Sequence, residues 1–126
     1  MISSFSVEFP KRIRLLTTGK PLQNQQSLGV GGTYILQDDK HNDKPYYVHR
    51  SGQWSISWRK NTKSWNTGGK YENIDDGKNI GYIIGPSDDS NPPHKINFGW
   101  NYWNYSENGW QDAAENEVRF EVISSS

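Results

Sequence analysis

The stretch EVRFEV, residues 117–122, alternates apolar and charged side chains without interruption. Val118, Phe120 and Val122 fall on one side of an extended chain, and a charged residue occupies each position between them. Successive side chains of a β-strand point to opposite faces, so this period of two predicts a strand with one buried face and one solvated face.

The same alternation recurs along the chain, whereas helical periodicity hardly appears. Gly, Pro, Asn and Asp cluster between the alternating runs, as in TTGKP (17–21), DDGKN (75–79) and PSDDSNPP (86–93), and these residue types favour turns. The pattern predicts an all-β, single-domain antiparallel β-sandwich or small β-barrel over residues 1–126. The only helix candidate is a turn at DAAENE (112–117), which Asp112 would cap. The further strand candidates are SFSVEF (4–9), RIRLLT (12–17), GTYIL (32–36), PYYVH (45–49), QWSISW (53–58) and IGYIIG (80–85).

Two twelve-residue segments resemble each other within the chain. GGTYILQDDKHN (31–42) and GGKYENIDDGKN (68–79) agree at six of twelve positions without a gap. The agreement predicts an internal duplication with units near 30–66 and 67–112, closed by terminal strands at 4–9 and 117–123. Gly, Asp and Asn are also common turn residues, so chance agreement stays an alternative.

Composition excludes several classes of protein. The 126 residues contain no cysteine, which excludes disulfides and thiolate metal sites, and their formal net charge is zero, which does not favour nucleic-acid binding. Only 32% of residues are hydrophobic, yet 13% are aromatic, and aromatic side chains can supply a core with few aliphatic ones. No apolar run is long enough to insert in a membrane, and no signal peptide is visible. We therefore expect a soluble protein, cytoplasmic or secreted by a non-classical route, whose neutral charge permits a homodimer.

The residues that enzymes use show no catalytic arrangement in this sequence. His41, His49 and His94 are far apart and lack the spacing of metal ligands, and no nucleophile or phosphate-loop motif occurs. We expect a non-catalytic protein. A small hydrolase stays open as an alternative, because any fold that bears Asp and Glu can place two carboxyl groups across a cleft.

The acidic turns offer oxygen ligands of the kind that calcium prefers. Asp75, Asp76 and Asn79 are the better candidates, although the segment does not match an EF-hand loop. Such residues also reverse the chain in any β-protein. We expect no obligatory cofactor, with calcium as the alternative.

The most aromatic segment is NFGWNYWNYSENGWQD, residues 97–112. In a strand over 98–105, one face would carry Phe98, Trp100 and Tyr102, and the other face would carry a second set of rings. One aromatic face suffices for a core, so the second predicts a recognition surface. An exposed indole beside amide and carboxylate groups suits a sugar ring, whose C–H bonds stack on the aromatic face while its hydroxyls need polar partners. The predicted site consists of Asn101, Trp103, Tyr105, Asn108, Trp110 and Asp112.

A second aromatic segment surrounds QWSISW. Trp54 and Trp58 alternate with Ile56 and are expected in the core. Trp65 follows the polar run RKNTKS (59–64) and precedes a glycine turn, so we expect it to be exposed and to form an outlying platform for a ligand.

Across residues 30–112, the chain resembles small carbohydrate-binding modules and cytosolic-type lectins in its composition and in the spacing of its Trp, Tyr, Gly and Asn residues. The resemblance implies a glycan partner and binding without catalysis. No ricin-type Q-x-W triplet is present. Aromatic and Asn-rich surfaces also bind proteins, so a protein–protein interaction module of β-sandwich type is the alternative, and burial of both aromatic faces in the core is a third possibility.

Overall fold

The computed structural model describes residues 9–18, 30–69, 81–88, 90–104, 107 and 109–124. Nine β-strands and one short 3-10 helix, Pro93–Lys95, occupy these ranges. The strands are β1 (Arg12–Thr17), β2 (Gly32–His41), β3 (Lys44–His49), β4 (Ser55–Arg59), β5 (Ser64–Gly68), β6 (Gly81–Ile84), β7 (Asn101–Asn104), β8 (Gly109–Asp112) and β9 (Val118–Ser124).

All nine strands form one antiparallel sheet in the order β8-β7-β6-β5-β4-β3-β2-β1-β9. Each strand from β1 to β8 pairs with its neighbours in sequence, and β9 returns to pair with β1. The sheet is curled, so that residues near its two edges come together. The ring of Trp100, just before β7, contacts that of Phe120 in β9 with centroids 5.3 Å apart. The predicted all-β class is confirmed, and its form is a single curled sheet.

One face of the curled sheet carries the hydrophobic core. The alternation predicted from the sequence places Ile56 and Trp58 of β4 there, together with Val118 and Phe120 of β9. Val122, the third apolar residue of EVRFEV, is 45% exposed. The buried core is completed by Ile13, Leu15, Val30, Tyr34, Tyr47, Trp65, Ile83, Ile96, Trp100 and Tyr102.

Two buried tyrosines fix irregular segments to the sheet. The Tyr34 hydroxyl donates to the carbonyl oxygen of Val30 at 2.5 Å, and the Tyr47 hydroxyl donates to that of Pro10 at 2.6 Å. Burial raises the pKa of both phenols above the usual 10.0. These side chains therefore combine a large apolar area with a satisfied polar tip.

The middle of the sheet is buried on both faces. Ser55, Ser57 and Asn66 lie on the face opposite to the core and are 3%, 0% and 1% exposed. The Ser55 hydroxyl donates to the carbonyl oxygen of Gly69 at 2.6 Å, and the Asn66 amide donates to that of Ser64. Ser55 and Asn66 are thereby satisfied, whereas the buried Ser57 hydroxyl has no hydrogen-bond partner among the described residues.

Some sequence predictions differ from the structure at the chain reversals. Asp112 does not cap a helix, since it is a residue of β8, and the backbone N–H of Ala114 instead donates to the Glu117 carboxylate at 2.8 Å. Residues 4–8 of the predicted first strand and 70–79 of the second repeat segment lie outside the described residues. The internal duplication stays a prediction. Within the described ranges, no helix has the length and apolar character needed to cross a membrane.

Candidate functional site

The hairpin of β7 and β8 forms one edge of the sheet and brings two tryptophans together. Trp103 pairs directly with Trp110, and Asn101 pairs with Asp112. Directly paired residues of an antiparallel ladder project on the same side, so these four side chains share one face of the hairpin. Tyr102 and Asn104 point the opposite way and are 4% and 5% exposed.

The two indoles meet edge to face. Their ring centroids are 5.4 Å apart and their planes are inclined by 76°. Aromatic pairs prefer this arrangement over a face-to-face sandwich because of the ring quadrupole. Trp110 remains 39% exposed, and Trp103 is half-buried. The pair therefore forms a corner rather than a continuous flat floor.

Polar side chains flank the aromatic corner. Asn101 is half-buried, and Asp112 is exposed at the end of β8. Together they provide amide and carboxylate groups two residues along each strand from the rings, on the same face. Tyr105 and Asn108, the other two predicted partners in this hairpin, lie outside the described residues.

A hydrogen-bonded network on the reverse face holds the hairpin in shape. Asn104 donates to the side-chain oxygen of Gln111 at 3.1 Å, and the Tyr102 hydroxyl donates to the same oxygen at 3.3 Å. The Gln111 amide donates in turn to the Glu107 carboxylate. Burial, followed by the charges of Glu117 and Glu107, raises the pKa of the Tyr102 phenol. This network could not be predicted from the sequence, because it depends on the cross-strand register of β7 and β8.

Phe98 departs from the predicted face. The strand begins at Asn101 because Gly99 adopts φ +86°, a left-handed conformation that interrupts extended backbone. Phe98 is consequently 68% exposed, while Trp100 is buried and its indole N–H donates to the carbonyl oxygen of Ile96 at 2.9 Å. The prediction was right for Trp100 and Tyr102 and wrong for Phe98.

The expectation that Trp65 is an exposed platform is wrong. Trp65 is 0% exposed, and its ring packs edge to face against Trp58 with centroids 5.4 Å apart. Its indole N–H donates to the carbonyl oxygen of Asn91 at 2.9 Å. The polar run before it contains the β4–β5 turn, and β5 begins at Ser64. Trp65 therefore pairs directly with Trp58 and faces the core. Trp65 therefore cannot contact a ligand at the surface.

Asp75, Asp76 and Asn79, the calcium candidates, lie outside the described residues. Among the residues whose placement is described, no group of three or more His, Asp or Glu side chains is arranged to hold a metal ion.

Comparison with known proteins adds no family to these observations. No family model matches the chain, and neither a curated protein nor a solved structure matches it.

Proposed function

We propose that the chain is a non-catalytic carbohydrate-binding protein whose site is the outward face of the β7–β8 hairpin. The proposal rests on the Trp103–Trp110 pair, whose ring centroids are 5.4 Å apart. Trp110 is 39% exposed, and the pair lies on the side of the hairpin that faces away from the core. Asn101 and Asp112 lie on the same face and supply hydrogen-bonding groups.

The geometry of the pair limits what it can bind. Two planes inclined by 76° cannot both lie under consecutive sugars of a straight chain. One pyranose ring stacks on the exposed face of Trp110, with Trp103 as a side wall. The hydroxyls of that ring exchange their water for the amide of Asn101 and the carboxylate of Asp112, which keeps the desolvation cost low. A single shallow site of this kind binds weakly, and avidity through several copies would strengthen it.

A second candidate function has an observation of its own. On the other edge strand, β9, Val122 and Ile123 are 45% and 40% exposed, and exposed apolar side chains at a sheet edge suit contact with another protein. This alternative predicts enrichment of a specific protein partner and no response to any glycan.

The proposed function is tested by applying the full chain to a glycan array with and without a calcium chelator. We expect binding to one class of neutral glycan that the chelator does not abolish. For the glycan so found, Trp110→Ala should weaken binding by about tenfold or more, which corresponds to about 1.4 kcal/mol. Asp112→Asn should weaken binding less, since the amide still accepts hydrogen bonds.

Phe98→Ala provides the matched control, because Phe98 is an exposed aromatic residue outside the hairpin. It should leave glycan affinity unchanged. Circular dichroism and thermal melting establish whether each variant folds. If Trp110→Ala and Phe98→Ala are both folded and bind equally well, the site is not where we place it. If no glycan binds the unaltered chain, the proposal is wrong.

A further inference from the structure

Two hairpin turns lie side by side at one end of the sheet and flank an open pocket. The β2–β3 turn is formed by Asn42 and Asp43 at φ 54° and 69°, the left-handed conformation that two-residue hairpins require. The β4–β5 turn runs over residues 60–63, and Lys63 adopts φ 53°. The pocket between the turns has a volume of about 260 Å³ and is lined by Asn42, Asp43, Lys44, Trp58, Lys60 and Lys63.

The floor of this pocket is fixed by several contacts. The Asn42 side-chain amide donates to the carbonyl oxygen of Trp58 at 2.9 Å, which joins the first turn to β4. The Trp58 ring is buried and packs against Trp65, with centroids 5.4 Å apart. Lys44 places its Nζ 4.6 Å from the centre of the Trp58 ring, within the range of a cation–π contact. The floor of the pocket therefore needs little reorganisation to receive a ligand.

The rim of the pocket is mainly cationic. Lys44, Lys60 and Lys63 contribute three ammonium groups, against the single carboxylate of Asp43 in the lining. Asp43 lies 3.7 Å from Lys60, but their side chains are 92% and 66% exposed, and an ion pair so exposed neutralises little.

Arg59 adds a fourth cation beside the same turn. It lines an adjoining cavity of about 180 Å³ together with Asn42, Lys60 and Asn61. Its Nε is buried and has no hydrogen-bond partner among the residues that the structure describes. A buried N–H without an acceptor is costly, and an anion at this position would satisfy it.

A nearby acidic residue, Asp88, offsets only part of this charge. Asp88 approaches the second turn, where its backbone N–H donates to the carbonyl oxygen of Lys63 at 3.0 Å. Its carboxylate accepts from Ser90 at 2.9 Å and from Asn91 at 3.0 Å. Those hydrogen bonds, with a smaller contribution from Lys44, hold the pKa of Asp88 below its usual value. The carboxylate is thus directed mainly toward its own loop. With Asp88 counted, the described residues at and beside the two cavities carry four cationic side chains and two carboxylates.

We propose that this pocket binds a single oxyanionic group, the carboxylate, sulfate or phosphate of a small molecule. The ammonium groups of Lys44, Lys60 and Lys63 supply charge-assisted donors in this pocket, and the guanidinium of Arg59 adds positive charge from the adjoining cavity. The inference does not depend on the glycan-binding proposal. Strands β1 to β8 pair in chain order as a β-meander, in which successive turns alternate between the two ends of the sheet. The turns after β2 and β4, which form the pocket, therefore lie at the end opposite to the β7–β8 turn.

The test is an NMR titration of the full chain at constant ionic strength, with three probes: inorganic sulfate, glucuronate and, as the neutral comparison, glucose. We expect sulfate or glucuronate to shift the amide signals of Asn42 and of residues 60–63 in a saturable manner, and glucose to leave those signals unchanged. Saturation by sulfate indicates a site for a free oxyanion, and saturation by glucuronate alone indicates a site that needs a carboxylate on a sugar. Absence of saturation by both anions, or an equal response to glucose, overturns the proposal.

Variants of the rim separate specific binding from general charge. The double variant Lys60→Gln/Lys63→Gln should weaken anion binding by about fivefold or more, whereas Lys60→Arg/Lys63→Arg should retain it. Lys95→Gln, at an exposed lysine of the 3-10 helix, removes one positive charge outside the pocket and should have no effect. Asp43→Asn should strengthen binding, because it removes the rim carboxylate and Asn tolerates the left-handed backbone. Equal affinity in the double Gln variant and in Lys95→Gln would show that the lysines of the pocket do not hold the anion.

Discussion

The buried phenols of Tyr34 and Tyr47 predict that the protein loses stability in alkaline solution. Both hydroxyls donate to backbone carbonyl oxygens inside the fold, and burial raises their pKa values above the usual 10.0. Below pH 10 the phenols are neutral in the folded and the unfolded chain, so stability is unaffected. Above pH 10 the unfolded chain releases these protons and the folded chain does not, so rising pH favours unfolding.

The magnitude follows from the linkage relation. For a phenol that stays protonated in the fold, ionisation of the unfolded state is worth RT ln(1 + 10^(pH − pKa)), which is about 1.4 kcal/mol one unit above the unfolded pKa. The two tyrosines together should therefore remove about 3 kcal/mol of unfolding free energy at about pH 11, a large part of the roughly 5–15 kcal/mol of a typical domain.

Equilibrium urea unfolding at neutral pH and at about pH 11 measures this loss, and the ultraviolet absorbance of tyrosinate shows when the phenols ionise. The double variant Tyr34→Phe/Tyr47→Phe is the control. It should be less stable at neutral pH, by about 1 kcal/mol for each lost hydrogen bond, but its stability should fall less steeply at high pH. An equal alkaline loss in the unaltered chain and the variant would refute the reasoning, because the loss would then come from other groups such as lysines.

Three further perturbations test the packing. Trp65→Ala should lower the unfolding free energy by about 3–5 kcal/mol, as expected for a fully buried aromatic side chain, and a change below about 1 kcal/mol in urea unfolding would contradict its placement. Gly99→Ala should destabilise more than Gly52→Ala in thermal melting: both glycines have positive φ, but only at Gly99 would a Cβ lie 3.0 Å from Pro86. Burial, followed by the charge of Lys95, lowers the pKa of His94 below the usual 6.5. The unfolded chain therefore binds a proton more readily than the folded chain, so the unfolding free energy should decrease as the pH falls below about 6.5. His94→Gln should flatten the dependence of melting temperature on pH.

The strands could be predicted because a period of two is visible in one sequence. In QWSISW and EVRFEV the apolar positions alternate with polar ones, and the structure places Ile56, Trp58, Val118 and Phe120 in the core as that alternation requires. Within the predicted recognition segment, the structure brings Trp103 and Trp110 together, with ring centroids 5.4 Å apart.

Trp65 and Phe98 could not be placed from composition alone. A polar run beside Trp65 favoured exposure, but the turn it forms is short, and the pairing of Arg59 with Ser64 sets Trp65 directly opposite Trp58. Phe98 lies just before Gly99, whose positive φ ends the alternation of faces. In both cases the decisive quantity is backbone register, which hydrophobic patterning does not specify next to a turn.

The cationic pocket was not predicted for a related reason. Its lysines belong to two segments, KHNDK (40–44) and RKNTK (59–63), and neither segment carries a ligand-binding pattern by itself. Both turns fall at one end of the sheet because two whole strands separate them, which is a property of the meander rather than of either segment. Two lysine-bearing turns separated by an even number of strands are the signal that would have identified the pocket.

The order of the strands has a kinetic consequence. Among the described strands, every pairing joins neighbours along the chain except that of β1 with β9, where Arg12 meets Ser124. Hairpins between neighbouring strands can form rapidly. The β1–β9 pairing instead has to close a loop of nearly the whole polypeptide, so it bears the largest loop-closure entropy. We therefore expect docking of the C-terminal strand to be the late event that makes folding all-or-none, and shortening of that strand to accelerate unfolding more than it slows the early hairpins.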